Sequence, residues 1–141
     1  MSVAPPFAPG ARFARRVTFD AESIASFATA CGDANPLHHD EEAAKAGPFG
    51  VLIASGPHVA GLMMGLDATS FSQRHVALGL GFTFRFVRAV PAGIALTLEW
   101  TVAAVKWKAS LDGHVVDVTG RAVDDSGREY VTATGSNLIR R

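Results

Sequence analysis

The sequence predicts an α+β fold, in which an antiparallel sheet of about five strands wraps around one buried helix. Residues 56–66 carry apolar side chains at helical spacing and have no charged side chain, so this helix is expected to be buried on all sides. From Val76 onward the apolar period changes to two residues, and turn residues separate the runs. Such alternation is typical of an antiparallel sheet with one covered face.

Local signals set the boundaries of the predicted elements. In chain order these are a strand over 12–19, a helix up to residue 32, a loop over 33–40, a helical turn over 41–46, the central helix, and further strands separated by turns at 91–93, 112–113 and 124–127. Asp20 is a favourable N-cap for the first helix, and Gly32 is a favourable residue to end it. Pro57 fits the first turn of the central helix, where its missing N–H costs nothing.

Length and charge limit the domain count and the partners. With 141 residues the chain is expected to form one domain over residues 11–141, after a flexible arm over residues 1–10. The 13 Lys and Arg residues balance the 13 Asp and Glu residues, so neither a nucleic acid nor a membrane surface is expected as a partner. The arm lacks the features of a signal peptide, and a cytoplasmic location is therefore expected by default.

The cysteine and histidine content gives no sign of a metal or a disulfide. Cys31 is the only cysteine, and it falls on the apolar stripe of the first helix with Ile24 and Phe27. A buried structural thiol is the expected role. The histidines lack partners at metal-ligand spacing, so no metal and no cofactor are expected.

The loop after the first helix carries the strongest chemical signal. It reads Gly-Asp-Ala-Asn-Pro-Leu-His over residues 32–38. Pro36 fixes its own φ angle and pushes Asn35 toward extended geometry, so a stiff, non-helical loop is expected. Asp33 and His38 on such a loop could share a proton-transfer task. The same residues are common in structural turns, and this short string by itself favours that simpler interpretation.

A second string changes this balance. The loop motif, followed by Ile53-Ala54-Ser55-Gly56, resembles the signature of the MaoC-like family of R-specific enoyl-CoA hydratases and dehydratases. The resemblance covers almost the whole chain. It implies the hotdog fold, and it implies a homodimer or larger even oligomer. The implied reaction is reversible hydration of a trans-2-enoyl thioester, carried on coenzyme A or pantetheine, to an R-3-hydroxyacyl thioester.

The resemblance also implies roles for individual residues. Asp33 and His38 would act together as the acid–base pair, and the backbone N–H of Gly56 would stabilise the oxyanion of the thioester. Asn35 and Ser55 would orient the loop or the substrate, and His58, two residues after the glycine, could contact substrate. Two positions depart from the family pattern, and they affect the expected substrate choice and rate: Pro57, where a bulky aromatic or Met often stands, and Met64, where some members have a hydroxyl residue.

Two other functions fit the same fold. A thioesterase could use Asp33 to activate water but has no need of His38 at this spacing. A non-catalytic acyl-thioester binding subunit would have no reason to keep the acid–base pair together with Asn35 and Gly56. Arg85 and Arg88 are candidates for contact with coenzyme A phosphates, although isolated arginines usually form a solvated face.

Overall fold

The computed structural model describes residues 5–141 and contains one antiparallel sheet of five strands in the order β1-β3-β4-β5-β2. The strands are β1 (Arg12–Thr18), β2 (Val76–Phe86), β3 (Ala95–Lys108), β4 (Gly113–Val123) and β5 (Glu129–Arg140). The predicted turn residues Gly93 and Gly127 have positive φ angles of 95° and 84°, a region that glycine enters without steric cost. The predicted hotdog architecture, a sheet packed around a central helix, is confirmed.

Three α-helices lie between β1 and β2 in the chain: α1 (Ala21–Cys31), α2 (Glu41–Ala46) and α3 (Gly56–Ser72). The carboxylate of Asp20 accepts a 2.7 Å hydrogen bond from the backbone N–H of Ser23, and Gly32 ends α1 with a φ angle of 74°. Both predicted boundaries of α1 are thus confirmed. Asp40, the last residue of the predicted loop, caps α2 by accepting hydrogen bonds from two backbone N–H groups.

The core lies between α3 and the inward face of the sheet. Val59, Met63 and Phe71 of α3 are buried against alternate residues of the long central strands. The indole N–H of Trp100 donates a 2.7 Å hydrogen bond to the carbonyl oxygen of Met63. This bond satisfies a buried donor and fixes the position of the helix on the sheet.

The two sides of α3 differ in solvent exposure. The side toward the sheet is buried, but Gly61, Met64 and Gly65 on the other side are exposed, and 41% of the Met64 surface is accessible. Burial on all sides was expected because the helix lacks a charged face. The sheet encloses only one side of the helix, so that expectation holds for that side alone.

Cys31 corrects a second expectation. It was expected to be a buried structural thiol, but the side chain is exposed. The stripe to which it was assigned does face the core at Ile24 and Ala28. Cys31 is the last residue of α1, beyond the part of the helix that packs inward.

The arm predicted over residues 1–10 lies partly outside the described residues, which begin at residue 5. In the described part, the ring of Phe7 packs edge-on against Phe71 and Phe13, with centroid distances of 4.7 and 6.0 Å. These contacts attach the arm to the core near the C-terminal end of α3. Flexibility of its first residues stays a prediction.

No helix among the described residues is long and apolar enough to cross a membrane. The outer surface does carry apolar side chains on β2, which is an edge strand of the sheet: Val76, Leu78 and Leu80 are each about half exposed. An edge strand with exposed apolar residues is open to pairing with another chain.

Two glycines of neighbouring strands give a matched test of the core packing. A Cβ atom at Gly135 would lie 2.3 Å from the ring of Phe82, whereas a Cβ atom at Gly81 would meet nothing within 4 Å. We expect Gly135→Ala to lower the free energy of unfolding by about 1–3 kcal/mol because the ring must move. Gly81→Ala should leave it unchanged or raise it slightly. Chemical denaturation measures both, and equal effects would contradict this packing.

Candidate active site

The loop between α1 and α2 is organised by its own polar groups. The backbone N–H of Asn35 donates a 2.9 Å hydrogen bond to Oδ1 of Asp33, and Oδ1 of Asn35 accepts one from the N–H of Leu37. The Pro36–His38 segment forms one 3₁₀ turn, so the prediction of a wholly non-helical loop is wrong at this point. The turn is short because Asn35 caps it at one end and His39 closes it at the other.

The turn directs His38 inward, toward Asp33. Nε2 of His38 lies 3.3 Å from Oδ2 of Asp33, and the two side chains are 6% and 31% exposed. Nδ1 of His38 lies 2.7 Å from the carbonyl oxygen of Ile53. Because a carbonyl oxygen only accepts, Nδ1 carries a proton in this bond. The tautomer is therefore fixed, and Nε2 of the neutral ring is free to take or return a proton beside the carboxylate.

The segment before α3 holds this arrangement in place. The N–H of Ile53 donates to the carbonyl oxygen of Leu37 over 3.1 Å, and the N–H of Ala54 donates to that of Val90 over 2.9 Å. Residues 53 and 54 thus connect the loop to the chain after β2. Rigid support of this kind keeps a proton-transfer pair in register.

The first turn of α3 begins beside the same pair. Ser55 is buried and acts as the N-cap, with its Oγ accepting a 3.3 Å hydrogen bond from the N–H of His58. The first N–H groups of a helix have no acceptor within the helix, and the helix dipole favours an anion there. Gly56 provides such an N–H. A Cβ atom at Gly56 would approach the ring of Phe86 to 3.0 Å, so the position has little room for a side chain.

A cleft of about 300 Å³ opens beside His38, Ser55 and Gly56, and Asp33 lies behind His38, outside the lining. The cleft is lined by His38, by residues 53–56 and 59, by residues 86–90 and by Val131. Arg88 is part of the lining and Arg85 is not, so only one of the two candidate phosphate contacts lies at the cleft. Phe86 and Val87, which are more than half exposed, form one wall of the cleft.

His58 lies apart from the cleft. Its ring stacks on Phe27 at 4.5 Å and meets Phe19 edge-on at 5.1 Å. The ring is 5% exposed, and among the described residues no partner bonds its Nδ1. Burial lowers the pKa of His58, while the charge of Asp20 acts weakly in the opposite direction. The sequence suggested contact with substrate, but the structure turns this side chain into the space between α1 and α3.

One contact of the site could not be read from the sequence. Nε2 of His39 lies 2.6 Å from the backbone carbonyl oxygen of Asp33 and donates to it. It braces the residue whose carboxylate faces His38. Within residues 5–141 no group of three or more His, Cys, Asp or Glu side chains is placed to hold a metal ion.

The fold and this loop–helix arrangement define a class: a hotdog domain in which an Asp–His pair lies near a helix N-terminus. Residues 6–124 match the family model described as the MaoC like domain, and the chain belongs to the MaoC-like family. A UPF0336 protein of Streptomyces avermitilis is 36% identical over 128 residues, covering 85% of this chain and 82% of that protein.

Two further relatives carry functional names. The 3-hydroxyacyl-thioester dehydratase Z of Mycobacterium tuberculosis H37Rv is 32% identical over 126 residues, covering 87% of this chain and 72% of that protein. The solved structure of the (R)-hydratase from A. caviae involved in PHA biosynthesis superposes with a TM-score of 0.85 and 27% identity, covering 95% of this chain and 98% of that one. Family and neighbours support a hydratase or dehydratase.

The buried His58 predicts a pH effect on stability. Because its pKa is lowered in the folded state, the unfolded chain binds a proton first as the pH falls below about 6.5. We expect the wild type to lose stability relative to His58→Phe between about pH 7.5 and pH 5.5, since phenylalanine cannot titrate. Urea denaturation at several pH values measures the difference, and a difference independent of pH would contradict this account.

Proposed function

We propose that this protein catalyses the reversible hydration of a trans-2-enoyl thioester to an R-3-hydroxyacyl thioester. The observation that carries the proposal is the pairing of His38 Nε2 with Asp33 Oδ2 at 3.3 Å, beside the N-terminus of α3. Two titratable groups in contact with each other, one of them lining a cleft, can deliver the parts of water to the same face of a double bond, which is syn addition. Membership of the MaoC-like family supports the same reaction class.

The proposed chemistry uses the pair as one unit. A water molecule placed between Asp33 Oδ2 and His38 Nε2 donates a hydrogen bond to one or both. Its oxygen forms the bond to C3 of the substrate as one member of the pair takes the proton. The π electrons move toward the thioester oxygen, and C2 then receives a proton from the pair. Coupled groups titrate together, so the proton is assigned to the pair and not to either residue.

Gly56 is the proposed donor to the developing oxyanion. Pro57 has no N–H, which leaves the amide of Gly56 as the first donor of α3. The buried cap at Ser55 takes up the N–H of His58 and leaves the amide of Gly56 to a ligand. The donor therefore requires no reorganisation when charge develops, the condition under which such groups contribute most.

The proposed substrate is carried by coenzyme A or by a protein-bound pantetheine. The cleft opens toward the exposed Arg88, which is placed to meet a phosphate of the carrier. Neither a nucleic acid nor a membrane belongs to the proposed partners. The expected setting is acyl-thioester metabolism in the cytoplasm.

Replacing either member of the pair tests the proposal. We expect Asp33→Asn and His38→Gln each to lower hydration of crotonyl-CoA by about 10²-fold or more, because each removes a proton acceptor without changing the shape of the loop greatly. The loss of enoyl-thioester absorbance measures the rate. The matched controls are Asp117→Asn on β4 and His75→Gln beyond α3, which lie outside the cleft and should turn over like the wild type.

Near wild-type turnover by either active-site variant would contradict the assignment. Release of free thiol from a saturated acyl-CoA, without hydration of enoyl-CoA, would identify a thioesterase instead. Binding of acyl-CoA with neither reaction would identify a non-catalytic binding subunit.

We also propose a homodimer or larger even assembly. The edge strand β2 exposes Leu78 and Leu80 at 50% and 52%, and one side of α3 is uncovered. Light scattering should give an even multiple of 14.8 kDa at micromolar concentration. Leu78→Lys combined with Leu80→Lys should shift it toward the monomer, whereas Val51→Lys, at another exposed apolar residue, should not. A monomeric wild type would contradict the proposal.

A further inference from the structure

A second groove lies between α3 and β2, further along the helix from the cleft. It has a volume of about 310 Å³, and Met64, Gly65 and Ala68 of α3 face Ala77, Gly79 and Phe82 of β2 across it. A Cβ atom at Gly65 would meet nothing within 4 Å, so the groove is open at this point. Its walls are small or apolar, apart from two polar residues, Asp67 and Asn137.

Asp67 and Asn137 form a buried polar pair at this groove. Each is 2% exposed, and Nδ2 of Asn137 donates a 2.8 Å hydrogen bond to Oδ1 of Asp67. Within residues 5–141 no other side chain bonds the carboxylate. Burial raises the pKa of Asp67 to about 6, against the opposing effect of the Asn137 hydrogen bond. Its second oxygen, Oδ2, accepts no side-chain hydrogen bond among the described residues, so an acceptor is available at the groove.

The groove and the cleft share the same two walls. β2 ends with Phe86 beside Gly56 at the start of α3, and its earlier residues Ala77 and Gly79 lie beside Asp67 near the other end. Asp67 is the eleventh residue after Gly56, which corresponds to about 16 Å at 1.5 Å per residue. Helical side chains lean toward the helix N-terminus, which shortens the distance to the Asp67 carboxylate. The linings of the cleft and the groove have no residue in common, so a medium-length acyl chain held at Gly56 by its thioester would have to run between α3 and β2 to reach Asp67.

Building on the reaction proposed above, we infer that Asp67 and Asn137 bind a hydroxyl group at the far end of the acyl chain. The substrate class is then a medium-chain enoyl thioester with a hydroxyl on or near its terminal carbon. The hydroxyl donates a hydrogen bond to Oδ2 of Asp67. It accepts one from the second N–H of the Asn137 amide, since the first donates to Oδ1 of Asp67. Asp67 is a specificity-determining residue for the tail and takes no part in proton transfer at C2 and C3.

The test measures binding separately from turnover. Two stable thioether analogues of coenzyme A are compared by calorimetry, one with a decyl chain and one with a decyl chain that ends in a hydroxyl. We expect the wild type to bind the hydroxylated analogue about tenfold more tightly or better, because a hydrogen bond to a charged group is lost with the plain chain. Asp67→Leu should reverse this preference, and Asp67→Asn should reduce it.

The matched control is Asp117→Asn, which alters a carboxylate that accepts a 2.6 Å hydrogen bond from Ser136 outside both the groove and the cleft. It should keep the wild-type preference. Equal binding of the two analogues by the wild type overturns the inference, even if Asp67→Leu does not fold. So does an unchanged preference in a folded Asp67→Leu protein.

Turnover then distinguishes this inference from the proposed function. The wild type is assayed with dec-2-enoyl-CoA and with its terminally hydroxylated derivative, and kcat/KM should favour the derivative. A binding preference without hydration of any enoyl-CoA would keep the inference and overturn the proposed reaction. Hydration of both substrates at equal kcat/KM, with equal binding, would keep the reaction and overturn the inference.

Discussion

The fold around the site is subject to one constraint: α3 begins at a buried N-cap, Ser55, and the first N–H groups of the helix must find acceptors. Ser55 meets part of this demand by accepting the N–H of His58. Pro57 removes another donor altogether, since it has none. The amide of Gly56 is left, next to a cleft and with the positive end of the helix dipole behind it. The same constraint that shapes the fold thus leaves one donor available to a ligand.

The Asp33–His38 pair lies near this donor because three chain segments are hydrogen bonded to one another. Ile53 is central: its N–H bonds the loop at Leu37, its carbonyl oxygen accepts from His38, and it forms an isolated β-bridge with Pro91. A shift of this residue would change the tautomer and the direction of His38 together. Hydrogen bonds from supporting residues such as Ile53 decide whether a reactive side chain keeps the position and direction that its chemistry needs.

Local sequence signals predicted the elements well and the side-chain directions poorly. Asp20 acts through its own side chain on the neighbouring helix turn, and Gly32 and Gly93 act through their own backbone, so these roles could be read from the sequence alone. His58 was misjudged because its direction depends on Phe27 of another helix. Cys31 was misjudged because periodicity does not show where packing against a helix stops.

In the candidate site too, the sequence predicted the local motif but not the contacts with distant parts of the chain. The loop motif gave Asp33 and His38 from the sequence, through the resemblance to the MaoC-like family. The carbonyl oxygen that fixes His38 belongs to a residue 15 positions away, and a backbone group leaves no mark in the sequence. Asp67 and Asn137 are 70 positions apart in the sequence, and their contact depends on how β5 lies against α3.

We propose that water is added to one face of an enoyl thioester in this cleft. The most direct measurement is the configuration of the product formed from crotonyl-CoA, determined by chiral separation after incubation with the wild-type protein. We expect the product to be the R-3-hydroxyacyl thioester, with the thioester bond intact. An S product, or free coenzyme A in place of a hydroxyacyl thioester, would contradict it.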